Sequence, residues 1–256
     1  MRVCLLASGS KGNSLFVESG KTKFLIDAGL SAREILHRLS KIGIESSELN
    51  AVFISHEHTD HIRGAGTLAR RLGIPVVISY STHSQSREIF RRNEVIEFES
   101  GCSFTFRDML IDPFPITHDT EDPVGFVIDG PTGRIGVATD LGIATRLVQE
   151  KLKGCRALVL ESNHDEDMLL NGPYPWHLKQ RIKSRHGHLS NDDAAALLGN
   201  LVNPDLDGVF LAHLSEVNND PEMARAAFRK MLDNQNVCCP RLVVGNQYTA
   251  SELLKI

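Results

Sequence analysis

The six residues His56-Glu57-His58-Thr59-Asp60-His61 follow directly on the apolar run AVFIS (51–55) and precede a stretch patterned as a helix. A short apolar run bounded by polar residues reads as a buried strand, so four ligand-capable side chains gather at the carboxyl end of a strand. In an extended segment residues two apart project the same way. His56 and His58 can therefore share one metal ion, while the turn that follows aims Asp60 and His61 at a second. Four imidazole or carboxylate groups do not complete two coordination spheres, so further ligands must come from other strand ends. His118 after IDPFPIT, Asp140 after GVAT and His213 after VFLA meet that demand. Any one of them alone would pass for a capped strand end; the repetition is what points to metal. Imidazoles and carboxylates without sulfur suit Zn²⁺, Mn²⁺ or Fe²⁺, and Asp140 can bridge two ions roughly 3.5–4 Å apart.

The rest of the chain alternates in a way that suits such a site. RVCLLAS, SLFVES and TKFLID read as strands, with Gly20 and Lys21 turning a hairpin. Ser31 and Glu34 form a capping-box signature for a helix whose Ile35, Leu36, Leu39 and Ile42 share one face, and Gly43 stops it. A polar turn over 56–61, a helix from RGAGTLARRLG, the strand PVVIS and a helix near 82–91 follow. FTF, MLIDPFPITH and the pair GFVID and RIGVATD then form an all-β run. A second helix–strand run closes the pattern: a helix near 143–152, strand RALVLES, a polar helical segment near 164–186, helix 191–202, strand GVFLAHLS, helix 221–234 and strand RLVVG. The order β-rich then α/β, twice over, predicts two sheets packed face to face with helices outside. The expectation is one domain over residues 1–256, with room for two similar halves.

Composition adds exclusions. With 41% hydrophobic and 23% charged residues the chain is neither disordered nor a small disulfide scaffold. No apolar stretch approaches the roughly 18 residues of a membrane helix, and the start MRVCLLASGSKGNS does not resemble a secretory leader. The five cysteines (Cys4, Cys102, Cys155, Cys238 and Cys239) are odd in number and never spaced as a thiolate zinc site, which points to a reducing cytoplasm. A net charge of -4 argues against bulk attraction to nucleic acid but leaves room for a local basic patch.

The pattern of Asp27 in LIDAG, His56, His58, Asp60, His61, His118, Asp140 and His213 resembles the metallo-β-lactamase superfamily over essentially the whole chain. The resemblance implies an αββα sandwich of two mixed sheets, with one metal on His56, His58 and His118, a second on Asp60, His61 and His213, and Asp140 between them. It also implies that Asp27 orients the ligands. Asp140 stands where dizinc β-lactamases carry cysteine, which disfavours antibiotic hydrolysis. The short interval from Asp140 to His213 leaves no room for the inserted domain of the β-CASP nucleases. SGSKGNS near the start, ESNHD at 161–165, GHLSNDDA at 187–194 and HLSEVNN at 213–219 are similar to the YycJ/WalJ-like branch, which is associated with 5′-to-3′ exonuclease activity on duplex DNA.

The expected activity is that of a two-metal phosphodiesterase, foremost a 5′-to-3′ DNA exonuclease in which a metal-bridging hydroxide attacks phosphorus. Asp60, His188 and Asp27 are the candidate catalytic residues. His188, beside a helix beginning near Asn191, could contact a phosphate oxygen or protonate the leaving group. Ser8, Ser10 and Asn13 lie in a glycine-bearing loop able to present N–H groups to phosphate, although such loops are also plain turns. Lys179, Arg181, Lys183 and Arg185 form a candidate phosphate-tracking ridge before His188, against the reading of a solvated helix face. His164 ranks above His186 as a lesser candidate, and His37, His83 and the cysteines are taken as structural or surface residues. The rival activities on the same site are a small-molecule cyclic phosphodiesterase and a glyoxalase-type thioesterase or lactonase; glyoxalase-type relatives usually add a C-terminal segment that does not follow the last expected strand.

Overall fold

The computed structural model describes all residues, 1–256. The first half runs β1 (Arg2–Ala7), β2 (Ser14–Ser19), β3 (Thr22–Ile26), α1 (Ala32–Lys41), β4 (Ala51–Phe53), α2 (Thr59–Ile62), α3 (Ala65–Leu72), β5 (Val76–Ser79), α4 (Tyr80–Phe90) and β6 (Val95–Phe98). The second runs β7 (Phe104–Phe106), β8 (Met109–Pro115), β9 (Val124–Gly130), β10 (Gly133–Ala138), α5 (Arg146–Leu152), β11 (Ala157–Glu161), α6 (Glu166–Asn171), α7 (Trp176–Ile182), α8 (Asn191–Gly199), β12 (Gly208–Ala212), α9 (Pro221–Leu232), β13 (Arg241–Val244) and β14 (Leu254–Lys255). The two seven-stranded sheets have the orders β14-β1-β2-β3-β4-β5-β6 and β13-β12-β11-β10-β9-β8-β7. In each, an antiparallel meander passes into parallel strands: β3 to β6 in the first, β10 to β13 in the second.

Side-chain alternation explains the layers. Val3, Leu5, Leu15, Val17, Phe24 and Ile26 of the first sheet meet Ile135, Val137, Val159 and Phe210 of the second in the space between them. Their neighbours of opposite parity, Cys4, Leu6, Phe16 and Leu25, face α1 and α3, while Leu158, Leu160, Val209 and Leu211 face α5, α8 and α9. Strands buried on both faces need near-continuous apolar sequence, which is what β4, β11 and β12 carry. Phe53 anchors the middle, with its ring centroid 4.7 Å from Phe24 and 6.1 Å from Phe126. Burying one such phenyl group contributes about 1.5–3 kcal/mol. The result is the expected αββα sandwich.

Local expectations hold with four corrections. Ser31 caps α1 by accepting from the Glu34 N–H, but the Glu34 carboxylate turns to Arg38 instead of closing the box. The segment 56–61 is more than a polar turn, because residues 59–62 close a turn of helix. The helical segment near 164–186 is split into α6 and α7 at Gly172-Pro173-Tyr174-Pro175, where proline cannot supply the N–H a continuous helix needs. The short β6 and β14 carry too little periodicity to be read from sequence; after RLVVG, the edge of the second sheet, the chain returns to the first, where β14 pairs with β1.

Candidate metal centre

Apart from His188, which lies between α7 and α8, the residues of the centre sit at the carboxyl end of a strand or in the segment that leaves it, where open parallel sheets gather ligands. Asp27 follows β3, His56 to His61 follow β4, His118 follows β8, Asp140 follows β10, Glu161 ends β11 and His213 follows β12. Asp27, Asp140 and His213 have φ of 62°, 59° and 58°, and the remaining non-glycine residue with positive φ is Arg107 in a hairpin turn. Left-handed backbone at an ordinary residue costs on the order of 1–3 kcal/mol and persists only where its surroundings over-determine it. Here the turn comes where each strand ends, and the side chains reach the cluster, Asp27 through His61.

The side chains converge. Ligand atoms of His56, His58 and His118, of His56, His61 and Asp140, of Asp60, His61 and His213, and of Asp140, Glu161, His188 and His213 each fall within 4.8 Å of one another. His61 Nε2 lies 3.3 Å from Asp140 Oδ2, and His118 Nε2 lies 3.3 Å from His58 Nδ1. The outward nitrogens are tied down: His61 Nδ1 to Asp27 at 2.8 Å, His56 Nδ1 to Ser55 Oγ at 2.9 Å, His213 Nδ1 to Glu161 at 3.0 Å. The inward atoms are not, for His56 Nε2, His213 Nε2 and Asp140 Oδ2 are buried without a hydrogen-bond partner. Buried polar atoms are ordinarily satisfied, so ligand atoms left bare together, with Asp140 in one cluster with His56 and in another with His213, fit bound divalent ions.

The electrostatics agree. Burial, together with the charges of His61, His118 and His58, holds His56 well below the usual imidazole range. Burial alone would also lower His61, but Asp140, Asp27 and Asp60 outweigh it and raise the ring to about 9. His213 is raised well above its usual range, burial again being overcome by Asp140, Asp60 and Glu161. Burial would push Asp60 up, yet its contacts with His213 and His61 hold it below the carboxylate range. Anions and imidazoles thus hold each other in the space a cation fits.

Two residues that sequence reasoning passed over organise the centre. Glu161, fully buried, accepts from the Leu141 and Leu189 N–H groups at 3.1 and 3.0 Å and touches His188 Nδ1 at 2.8 Å besides His213. It ends an apolar strand as Asp140 and His213 follow theirs, so the strand-end pattern could have found it. Ser55 joins Asp27 to His56: Asp27 accepts from the Ser55 N–H at 2.9 Å and its Oγ–H at 2.8 Å.

The secondary candidates divide. His188 stands at the centre with a fifth of its side chain exposed, and with Nδ1 on Glu161 its Nε2 is the free ring nitrogen. Asn13 Nδ2 reaches Asp60 at 3.1 Å and His61 at 3.0 Å. Ser10, Arg181, His186 and His188 line a cleft of about 190 Å³ that opens on His213. Ser8 does not face that cleft: it is buried, and its Oγ accepts the His213 N–H at 2.6 Å, so it supports the ligand's backbone rather than a phosphate. His164 is buried with burial lowering it to about 4, and falls outside the four ligand groups. The ridge does not form as expected. Lys179 is buried, its ammonium donating to the Leu170 and Gly172 carbonyls at 2.7 and 2.8 Å, because the broken helix leaves those carbonyls without partners. Lys183 faces Glu166 at 3.6 Å, Arg181 pairs with Asp119, and Arg185 is exposed. His83 pairs with Glu97 on the surface, as its structural reading implied.

With a two-sheet sandwich and a buried His/Asp/Glu cluster at its strand ends, the chain belongs to the beta-lactamase superfamily, whose domain model matches residues 22–213. Within it the chain falls with the YycJ and WalJ proteins. It is 35% identical to the exodeoxyribonuclease YycJ of Bacillus anthracis over 90% of this chain and 89% of that one. It is 36% identical to the exodeoxyribonuclease WalJ of Streptococcus pneumoniae over 86% of this chain and 84% of that one. The metallo-beta-lactamase fold protein YhfI of Bacillus subtilis superimposes with a TM-score of 0.73 at 17% identity, covering 97% of this chain and 98% of that one. The protein is a metal-dependent hydrolase. No helix is long and apolar enough to cross a membrane.

Proposed function

We propose that the protein is a two-metal DNA exonuclease that works from the 5′ end, with residues 1–256 acting as one domain. The observation that carries this reading is the bare, buried donor set of His56, His213 and Asp140 beside an open cleft. The names of the two relatives, exodeoxyribonucleases YycJ and WalJ, favour nucleic acid as substrate and DNA in particular. His56, His58 and His118 would hold one ion and Asp60, His61 and His213 the other, with Asp140 shared; zinc, manganese and iron all suit these donors. Such ions supply a nucleophile from water at neutral pH and neutralise charge on the phosphoryl group.

The chain's own groups do the remaining work. Asp27 and Glu161 fix the orientation of His61 and His213, and Asn13 holds Asp60. His188, with Nδ1 on Glu161, presents Nε2 toward the cleft, where it is a candidate to donate a proton to the departing 3′-oxygen. The five free cysteines suit a reducing compartment, the cytoplasm. The test is parallel digestion of duplex DNA, RNA and a chromogenic phosphodiester by metal-loaded protein, with metal content measured. The reading predicts about two ions per chain and DNA as the preferred substrate. Preference for RNA or for the small phosphodiester would overturn it.

A further inference from the structure

Of the four basic side chains in the run before His188, Lys179 is locked on carbonyls and Lys183 faces Glu166, but Arg181 stands at the mouth of the cleft. Its guanidinium is held by one carboxylate oxygen of Asp119: Nη2 at 2.5 Å and Nε at 2.7 Å from Oδ2. The other oxygen, Oδ1, lies 3.4 Å from His118 Nε2 and 3.9 Å from His58 Nε2. Asp119 therefore spans the gap between the cleft's arginine and the edge of the metal centre. The Arg181 side chain is 61% exposed, a setting in which an ion pair contributes little and exchanges partners readily. A phosphate offers the same fork two oxygens and more charge than one carboxylate oxygen does. Beside Arg181 the cleft wall carries Tyr174, Leu178 and Ile182, a half-buried apolar face suited to a nucleobase.

We propose that Asp119 is the resting partner of Arg181, displaced when the terminal nucleotide of the substrate puts its phosphate on the guanidinium and its base against Tyr174 and Leu178. This rests on the nuclease reading and assigns its substrate end to a particular cleft. Arg181 is on this account a specificity-determining residue, and Asp119 a competitor that keeps the site from holding other anions.

Ordinary salt-bridge stabilisation and competition predict opposite signs, which makes the proposal testable. Binding of thymidine 5′-monophosphate, thymidine and inorganic phosphate to the metal-loaded protein is measured by calorimetry, with Arg181→Ala, Asp119→Asn and Asp119→Ser compared at equal metal content. The expected result is that Arg181→Ala weakens the nucleotide about tenfold. Both Asp119 variants should tighten it about two- to fivefold, with thymidine indifferent to every substitution. Weakening by the Asp119 variants, no change in any variant, or equal effects on thymidine and its monophosphate would overturn the proposal. Inorganic phosphate binding as tightly as the nucleotide would overturn the role of Tyr174 and Leu178. Failure of the wild type to digest DNA refutes the nuclease reading instead, and leaves these binding measurements to decide the Arg181 question separately.

Discussion

Glu161 offers the sharpest test of how the centre is held. Its Oε1 takes His188 Nδ1 and His213 Nδ1, and its Oε2 takes the Leu141 and Leu189 N–H groups. Glu161→Gln keeps the shape and removes the charge, and whichever oxygen becomes an NH₂ group then faces two donors. Two charge-assisted hydrogen bonds are lost at about 1.5–3 kcal/mol each, so the variant should lose about 3–6 kcal/mol of stability. That is a large part of the roughly 5–15 kcal/mol that holds a domain folded. Urea denaturation of metal-free protein at pH 7 measures it, and Glu161→Asp, which retains the charge, serves as the milder comparison. Metal affinity should fall about 10–100-fold in Glu161→Gln through loss of His213 orientation. A variant within about 0.5 kcal/mol of wild type and with unchanged metal affinity would refute the reasoning.

Further outcomes follow from the same structure. In the metal-free protein His61, raised to about 9, and His213, also raised, hold protons at pH 7 that an ion must displace. Metal affinity should therefore rise with pH up to about 9, and calorimetry in buffers of different ionisation enthalpy should register proton release; uptake would contradict it. The stabilisation these raised groups give the metal-free fold is present at low pH and is lost as pH rises through that value. A Cβ at Gly29 would lie 1.5 Å from the Asp60 carbonyl, so Gly29→Ala should cost about 3 kcal/mol or more and abolish metal binding; a stable, metal-loaded variant would be the wrong result. The Cys4 and Cys155 thiols are pushed up to about 11 by burial, so native protein should be alkylated first at the exposed Cys102 and Cys239. Peptide mapping that finds Cys4 or Cys155 labelled first would contradict that.

How much of this was legible beforehand depends on range. The strands with near-continuous apolar sequence, and the polar residues that end them, speak through local pattern alone, which is why the HEHTDH segment, His118, Asp140 and His213 could be named from the chain. What they touch is set by turns that pattern does not encode: Asp and His tolerate positive φ better than most residues, but nothing local says that Asp27, Asp140 and His213 adopt it. Lys179 failed as a surface cation because α6 and α7 break apart and expose carbonyls that only it can reach. Ser8 failed because its partner, the His213 N–H, lies far along the chain. Long-range hydrogen bonds of this kind are invisible to spacing arguments.

Metal-dependent cleavage of DNA from one end by the His/Asp centre is put to the test by time-resolved digestion of 5′-phosphorylated duplex DNA, labelled at either end, with manganese-loaded wild type and with Asp60→Ala. Mononucleotides should be released progressively from the 5′ end by wild type and not by the variant. Intact DNA after incubation with fully metal-loaded wild type, or equal digestion by Asp60→Ala, would contradict it.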